Sequence, residues 1–317
     1  MKNYNFDFIK NKKIFFAISL SIILIGTICN VIFGTELDIE FTGGAILKYS
    51  YTGDVDENAL KTLIQNATEK NVSIQINENV KSASTSEVKN NVSVEFSGND
   101  SLTLDQQKEI TNGLSETFPD NNFELIESSS VNPSMGRTFL LKCIVAVAIA
   151  AVLMVIYVAF RFRKISGLSA GVMALVALLH DVIMVYFTFI IFRIPLDDNF
   201  IAVVLMILGY SLNDTIVIYD RIRENKSKLP AQTPISDIVN KSINQTLGRT
   251  INTSITTTLA IGTVLVVAII FNLSSVVHFA LPMMIGIISG CYSTISIAGP
   301  LWVMWQEHKN IKVKAKK

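Results

Sequence analysis

Three cysteines, three histidines and two tryptophans among 317 residues leave little material for several kinds of chemistry. Cys29, Cys143 and Cys291 all fall inside apolar runs, so none is placed to staple a secreted scaffold and none has metal-ligand spacing. They read as packing residues, and no metal or cofactor is expected. Zinc-protease patterns such as H-E-x-x-H are missing, and the chain is not expected to be an enzyme. Charge is scarce as well. Only 17% of residues are Asp, Glu, Lys or Arg, and 27 basic against 26 acidic side chains leave a net charge of +1. A chain so nearly neutral is not held to nucleic acid by its overall charge. At 50% hydrophobic it is not disordered either.

The charge that is present lies unevenly. Residues 35–137 hold 17 acidic and 7 basic side chains, a balance of −10, while the rest hold 9 and 20, a balance of +11. A split of that size means two parts of the chain in different surroundings.

The apolar part reads as membrane-spanning. A bilayer core of about 30 Å needs roughly 20 apolar residues of helix. Six stretches meet that length: 14–33, 139–160, 165–192, 200–219, 250–271 and 276–305. Lys and Arg gather before the first, between the second and third, between the fourth and fifth, and after the sixth. The loop after the third carries Arg193 with Asp197 and Asp198, and residues 272–275 carry no Lys or Arg. The positive-inside rule then puts both termini in the cytoplasm of a multi-pass cell-membrane protein. The first span is too long for a signal peptide and lacks an A-x-A-like site, so it reads as an uncleaved anchor. The expected organisation is a cytoplasmic N-terminus with span one (1–34), an extracytoplasmic domain (35–137), spans two to six (138–305) and a basic cytoplasmic tail (306–317).

Within 35–137 the pattern is readable. Strand-like runs at 45–51, 72–76, 92–96 and 123–126 alternate with amphipathic helices at 57–70 and 104–118, the second capped by Thr103. The order β-α-β-β-α-β is the split βαβ pattern of ferredoxin-like domains. The fold class expected is thus six transmembrane helices with an α+β ferredoxin-like domain between the first two. The domain has no His or Cys, and its carboxylates read as a solvated surface. Gly43-Gly44 reads as a turn.

Ionisable side chains inside a span are costly and are functional candidates by default. Asp214 is the foremost. It lies about 21 Å from the outer end of span four, with Ser211 one turn earlier and Asn213 beside it. Proton or ion relay is the preferred reading, and a helix–helix hydrogen bond is the structural alternative. His180 and Asp181 in span three form a second pair. Adjacent helical residues point about 100° apart, so they are not expected to face one partner. Span five opens with RTINTSITTT, placing Arg249 at its cytoplasmic end and Asn252 and Thr253 just inside. Its hydroxyls either line a wet path or bond back to their own helix. Arg249 reaches Asp214 if the two helices are neighbours; otherwise it is an interface anchor. Gly286 and Gly290 form a GxxxG and Pro282 is expected to kink that helix. The basic loop after span four is expected to lie along the cytoplasmic surface.

Taken together, GYSLNDTIVIYDRIREN, INQTLGRTINTSITT, GCYSTISIAGPL, ALVALLHD and IEFTGG resemble the SecF family, membrane subunits of the bacterial SecD–SecF export complex. The family resembles half of a resistance-nodulation-division transporter. Where it usually reads G-I-D-F-T-G-G, this chain has Asp38-Ile39-Glu40-Phe41-Thr42-Gly43-Gly44, and a common Gly-Pro is Asn132-Pro133. The resemblance implies a translocase accessory subunit that works with SecD and uses a proton or sodium gradient to promote late export through the SecYEG channel. It further implies SecA and membrane-insertase components as indirect partners, unfolded exported polypeptides as cargo, and a lipid bilayer as surroundings. An Asp in span four and an Arg opening span five belong to the family's proton pathway, matching Asp214 and Arg249; the His-Asp pair matches His180 and Asp181. Two rival readings are a small-molecule or lipid exporter of the same superfamily, which typically carries larger external domains, and an intramembrane aspartyl protease using Asp181 and Asp214, which needs a Gly-x-Gly-Asp run that Leu212-Asn213-Asp214 does not supply.

Overall fold

The computed structural model describes residues 6–68, 72–81, 88–97, 102–131, 133–230, 232–271 and 273–314. Helix α1 (Lys12–Phe33) leads through a four-residue helix α2 (Ile39–Thr42) into an α/β domain. That domain runs β1 (Gly44–Tyr51), α3 (Glu57–Thr68), β2 (Val72–Lys81), β3 (Val88–Ser97), α4 (Leu104–Thr117) and β4 (Glu124–Val131). Five long helical elements follow: α5 (Pro133–Arg161), α6 (Gly167–Ile191), α7 (Asp198–Lys228), α8 (Ile235–Ile270) and α9 (Ser274–Ser293), the last joined by a π turn (Thr294–Ala298) to α10 (Gly299–Lys314). Among the described residues six helical stretches are long and apolar enough to cross a membrane, the sixth combining α9 with α10.

The domain has the expected ferredoxin-like topology. Its strands lie in the order β2-β3-β1-β4, and every adjacent pair is antiparallel. Alternation puts Leu47, Tyr49, Val92, Val94 and Phe96 on one face, where Leu60 and Ile64 of α3 and Ile110 and Leu114 of α4 cover them. Thr103 caps α4 through a full capping box with Gln106. Three strands outrun expectation, β2 by five residues to Lys81. Polar Asn90 and Asn91 open β3 beside β1, and Ser128–Ser130 continue β4 along the other edge of β1, because ladder hydrogen bonds hold them without apolar alternation. Residues 69 and 70 of the expected first helix lie outside the described residues.

In the membrane body, α6 and α7 are the most buried spans, whereas α1, α5 and the apolar end of α8 turn Leu, Ile and Val outward. Close approach of α9 depends on its glycines. A Cβ at Gly286 would stand 2.7 Å from Ile207 on α7 and 2.9 Å from Val185 on α6, and one at Gly290 would stand 3.1 Å from Ser211. Pro282 sits within the run of α9, and the change of helical period comes later, at the π turn.

The segment after span four departs from expectation. It does not form a separate surface segment. Instead α7 and α8 run on as a helical hairpin that turns at residues 229–234, where Pro230 and Pro234 stop continuation. At 36 residues α8 is about 54 Å long, well beyond a bilayer core of roughly 30 Å. Polar contacts hold the projecting ends together: Asn225 donates to Ser242 and Gln245, both at 2.8 Å, and Arg221 donates to Gln245 at 2.7 Å. At the opposite end, Leu37 and Leu196 form a parallel bridge, with Asp38 N donating to Leu196 O and Leu196 N to Glu36 O. That bridge ties the start of the α/β domain to the α6–α7 loop.

Candidate functional site

Three membrane helices converge on one carboxylate. Asp181, fully buried on α6, accepts from Ser211 Oγ of α7 at 2.8 Å and Ser293 Oγ of α9 at 2.7 Å through Oδ2. Its Oδ1 accepts from Ser289 Oγ of α9 at 2.7 Å and lies 3.2 Å from His180 Nδ1. Each carboxylate oxygen of Asp181 thus accepts from at least one serine hydroxyl. His180 and Asp181 therefore do share a partner, contrary to expectation. Helix α9 lies so close that Ser289 and Ser293 reach Asp181 while the Tyr292 ring stands 6.1 Å from that of His180. The GxxxG glycines allow this approach.

Asp214 lies one turn beyond Ser211 on α7 and is 4% exposed, with no hydrogen-bond partner for Oδ2 among the described residues. The next residue, Thr215, meets Thr294 of the π turn at 3.2 Å. Helices α7 and α8 are neighbours, so the Arg249 charge acts on Asp214. The two do not close an ion pair among the described residues; Arg249 is exposed. Asn213 and Asn252 are exposed too, and Thr253 is half-buried. The hydroxyls of α8 mostly bond back to their own helix, Thr253 to Arg249 O and Thr256 to Asn252 O. Buried Thr250 Oγ1 on α8 has no hydrogen-bond partner among the described residues, and Ser254, one turn on, meets only the Cys291 thiol there.

The predicted residues thus fall into two groups. Asp181, His180 and Ser211 form the buried cluster, whereas Asn213, Arg249 and Asn252 lie along an exposed polar stripe of α7 and α8, with Asp214 beneath it. Gly209 lies on the same outward side of α7, and a Cβ there would meet nothing within 4 Å. Reasoning from sequence missed Ser289 and Ser293, although both sit in the span containing the GxxxG, at i and i+4. It also overlooked a G-x-S-x-G run at residues 167–171. Ser169 there begins a membrane helix, donates to Ser166 O and accepts from Trp302 and Gln306, with no histidine among its partners. That is unlike a strand-to-helix nucleophile elbow. Among the described residues no group of three or more His, Cys, Asp or Glu is placed to hold a metal ion.

Six apolar spans, a ferredoxin-like domain looped out after the first, and carboxylates buried among the inner spans define a polytopic transport-type membrane protein. Residues 110–308 match the family described as "Protein export membrane protein SecD/SecF, C-terminal". The chain belongs to the SecF family of protein translocase subunits, and its role lies in protein export with SecD. It is 32% identical to protein translocase subunit SecF of Sebaldella termitidis, covering 95% of this chain and 92% of that one. It is 31% identical to SecDF of Bacillus subtilis over 95% of this chain but 38% of the relative. The solved SecDF of Thermus thermophilus superposes with a TM-score of 0.78 at 28% identity, over 96% of this chain and 39% of that one. The SecDF relatives therefore extend well beyond the length that this chain matches.

Proposed function

We propose that this chain couples an ion gradient to late protein export, with Asp214 as the group that takes up and releases the proton. One observation carries the reading: Asp214 Oδ2 is buried without a partner among the described residues, directly beneath a polar stripe that includes Arg249. A buried, unpartnered carboxylate oxygen is costly unless water or a proton reaches it. The hydroxyls of Thr250, orphaned among the described residues, and of Ser254 on the adjoining helix supply polar lining for such access. Asp214 alternates between a charged state balanced by Arg249 and a neutral, protonated one. Each change repacks α7 against α8 and moves the α/β domain, which grips or releases the emerging chain. One charge crossing 100 mV supplies about 2.3 kcal/mol, enough to bias a two-state element.

The stripe also indicates which face meets SecD. Asn213, Arg249 and Asn252 in hydrocarbon would strand polar groups at several kcal/mol each, so the SecD half covers them. We assign His180, Asp181 and Ser211 a supporting place, fixing α6, α7 and α9 around the titrating residue; Asn213, Asn252 and Thr253 line its approach. In this reading the four basic segments are cytoplasmic and the acidic domain lies outside the cytoplasm of a cell membrane. SecYEG receives the complex, SecA and insertase components act indirectly, and unfolded polypeptide is the cargo. No catalysis is assigned. Asp181 has both oxygens engaged by hydroxyls and His180, so it forms no proton-sharing dyad with Asp214.

The test is export into vesicles containing SecD, with an imposed proton or sodium gradient. Asp214→Asn is expected to remove gradient stimulation while co-purifying normally with SecD. Full stimulation in that variant removes Asp214 from the mechanism. Stimulation by sodium but not by a proton gradient in the wild type makes sodium the coupling ion.

A further inference from the structure

A cavity of about 800 Å³ opens at the basic side of the membrane body and shares no lining residue with the Asp181 and Asp214 site. It lies between the end of α5, the start of α6 and α10. Arg163, His308 and Lys309 line it, and so do apolar Leu168, Val172 and Trp305. Arg161 nearby is already paired with Asp220 at 3.2 Å. Arg163 and Lys309, by contrast, make no ion pair among the described residues, and the Arg163 guanidinium rests 4.4 Å from the centre of the Phe160 ring. Two uncompensated cations and a histidine thus border an apolar recess. The nearest acidic residue in sequence on α10, Glu307, is exposed and is not among the lining residues.

The apolar wall continues into the bilayer region as a track. On α6, Leu168, Val172, Val176 and Leu179 are all exposed, recurring at four- and three-residue steps on one side of the helix. From Leu168 to Leu179 the track is about 16 Å long. Half of a bilayer core of roughly 30 Å is about the same depth. The cations stand at one end of this track and the middle of the span at the other, which is the layout of a single leaflet lipid. An exported peptide needs exposed backbone partners and no such depth limit. A free phosphate leaves the track unused.

We propose that this cavity is a binding site for an anionic phospholipid of the leaflet on the basic side. The phosphate sits between Arg163 and Lys309, with His308 at its edge, and one acyl chain follows Leu168, Val172, Val176 and Leu179. Trp305, at the rim, has the amphipathic ring suited to the headgroup level. Ser169, which holds Trp302 and Gln306 by hydrogen bonds, fixes the α10 wall against α6. This inference is independent of the proton-relay reading and stands or falls separately.

The test uses the purified full-length chain in micelles with equal phosphatidylglycerol and phosphatidylcholine, read by native mass spectrometry. The wild type is expected to retain phosphatidylglycerol preferentially, and added salt should erase that preference. Arg163→Gln and Lys309→Gln should each lower phosphatidylglycerol retention roughly fivefold, whereas Arg163→Lys should preserve it. Val172→Trp, which obstructs the track and keeps every charge, should lower it as well. Lys164→Gln, exposed beside the cavity and outside its lining, should change nothing. Equal retention of the two lipids, or salt-insensitive retention by the wild type, overturns the proposal without recourse to any variant. So does an equal loss in Lys164→Gln, which would mean diffuse surface charge. Displacement of the lipid when SecD is co-purified would make the cavity a protein interface and also overturn it.

Discussion

Ser211 donates its hydroxyl to Asp181 across 2.8 Å, one helical turn before Asp214 on the same helix. The carboxylate that is satisfied and the carboxylate that is not are therefore mechanically joined. A change of protonation at Asp214 that shifts α7 has to stretch or keep this bond, and through it Ser289 and Ser293 on α9.

Removing the Asp181 carboxylate takes the acceptor from Ser211 and Ser289 and leaves Ser293 with the longer bond to Gly290 O at 3.3 Å. Each such loss costs about 1–3 kcal/mol. Asp181→Leu is therefore expected to destabilise the membrane body by about 3 kcal/mol or more, whereas Ser289→Ala, which spares the other donors, should cost about 1 kcal/mol. Heat unfolding in detergent, followed by circular dichroism, reads both. An Asp181→Leu protein that melts with the wild type would show that the cluster does not hold the helices.

How much of this was legible in the sequence depends on which physical signal each residue carries. Hydropathy marked the six spans because a bilayer rejects charge over a continuous length, and alternation marked the α/β domain because one sheet face is dry. Asp214, His180 and Asp181 stood out for the same reason. Which partner each one meets was not legible, because that is set by how closely α9 approaches, and the approach depends on Gly286 and Gly290 fitting against Ile207, Val185 and Ser211. Ser289 and Ser293 read as ordinary small polar residues until that crossing places them on Asp181. The helical hairpin of α7 and α8 escaped notice because the apolar stripe of its projecting ends, Ile222, Ile238, Val239 and Ile243, is interleaved with polar residues that pair across the hairpin, such as Asn225 and Ser242.

The glycines separate packing within the chain from packing against SecD. A methyl at Gly286 collides with Ile207 and Val185, so Gly286→Ala should cost about 1–3 kcal/mol, as overpacked cores do. Gly209 has open space around it. Gly209→Leu should leave the melting of the isolated chain unchanged and yet weaken co-purification with SecD. Normal assembly by that variant would place the SecD face elsewhere.

In the α/β domain, Glu95 is an exception to the solvated carboxylates expected there. Burial, followed by the negative charges of Asp38 and Glu36, raises its pKa above the ordinary 4.5, against a smaller opposing pull from Lys48. The folded domain therefore binds this proton more tightly than the unfolded chain. Its contribution to stability is fully present below 4.5 and is lost as pH rises through the raised folded value. Glu95→Gln, uncharged throughout, should flatten that part of the pH profile and melt higher than the wild type at neutral pH. Parallel pH profiles for the two proteins would show that Glu95 titrates as it does in the unfolded chain.

Arg249 is exposed on the stripe and near enough to act on Asp214 without a closed ion pair. If its role is to balance the charged state of Asp214, the two residues form one functional unit, and effects within a unit do not add. Arg249→Gln alone should lose gradient-stimulated export to the same extent as Asp214→Asn alone, and the double variant should be no worse than either. Arg249→Lys should recover part of the stimulation, because an ammonium supplies the charge but not the guanidinium's reach and planar donors. Vesicle export with equal SecD content in every sample reads all four proteins. If Arg249→Gln exports normally, or if the double variant falls well below both singles, Arg249 serves the complex by some route other than the Asp214 carboxylate, and contact with the SecD half becomes its remaining role.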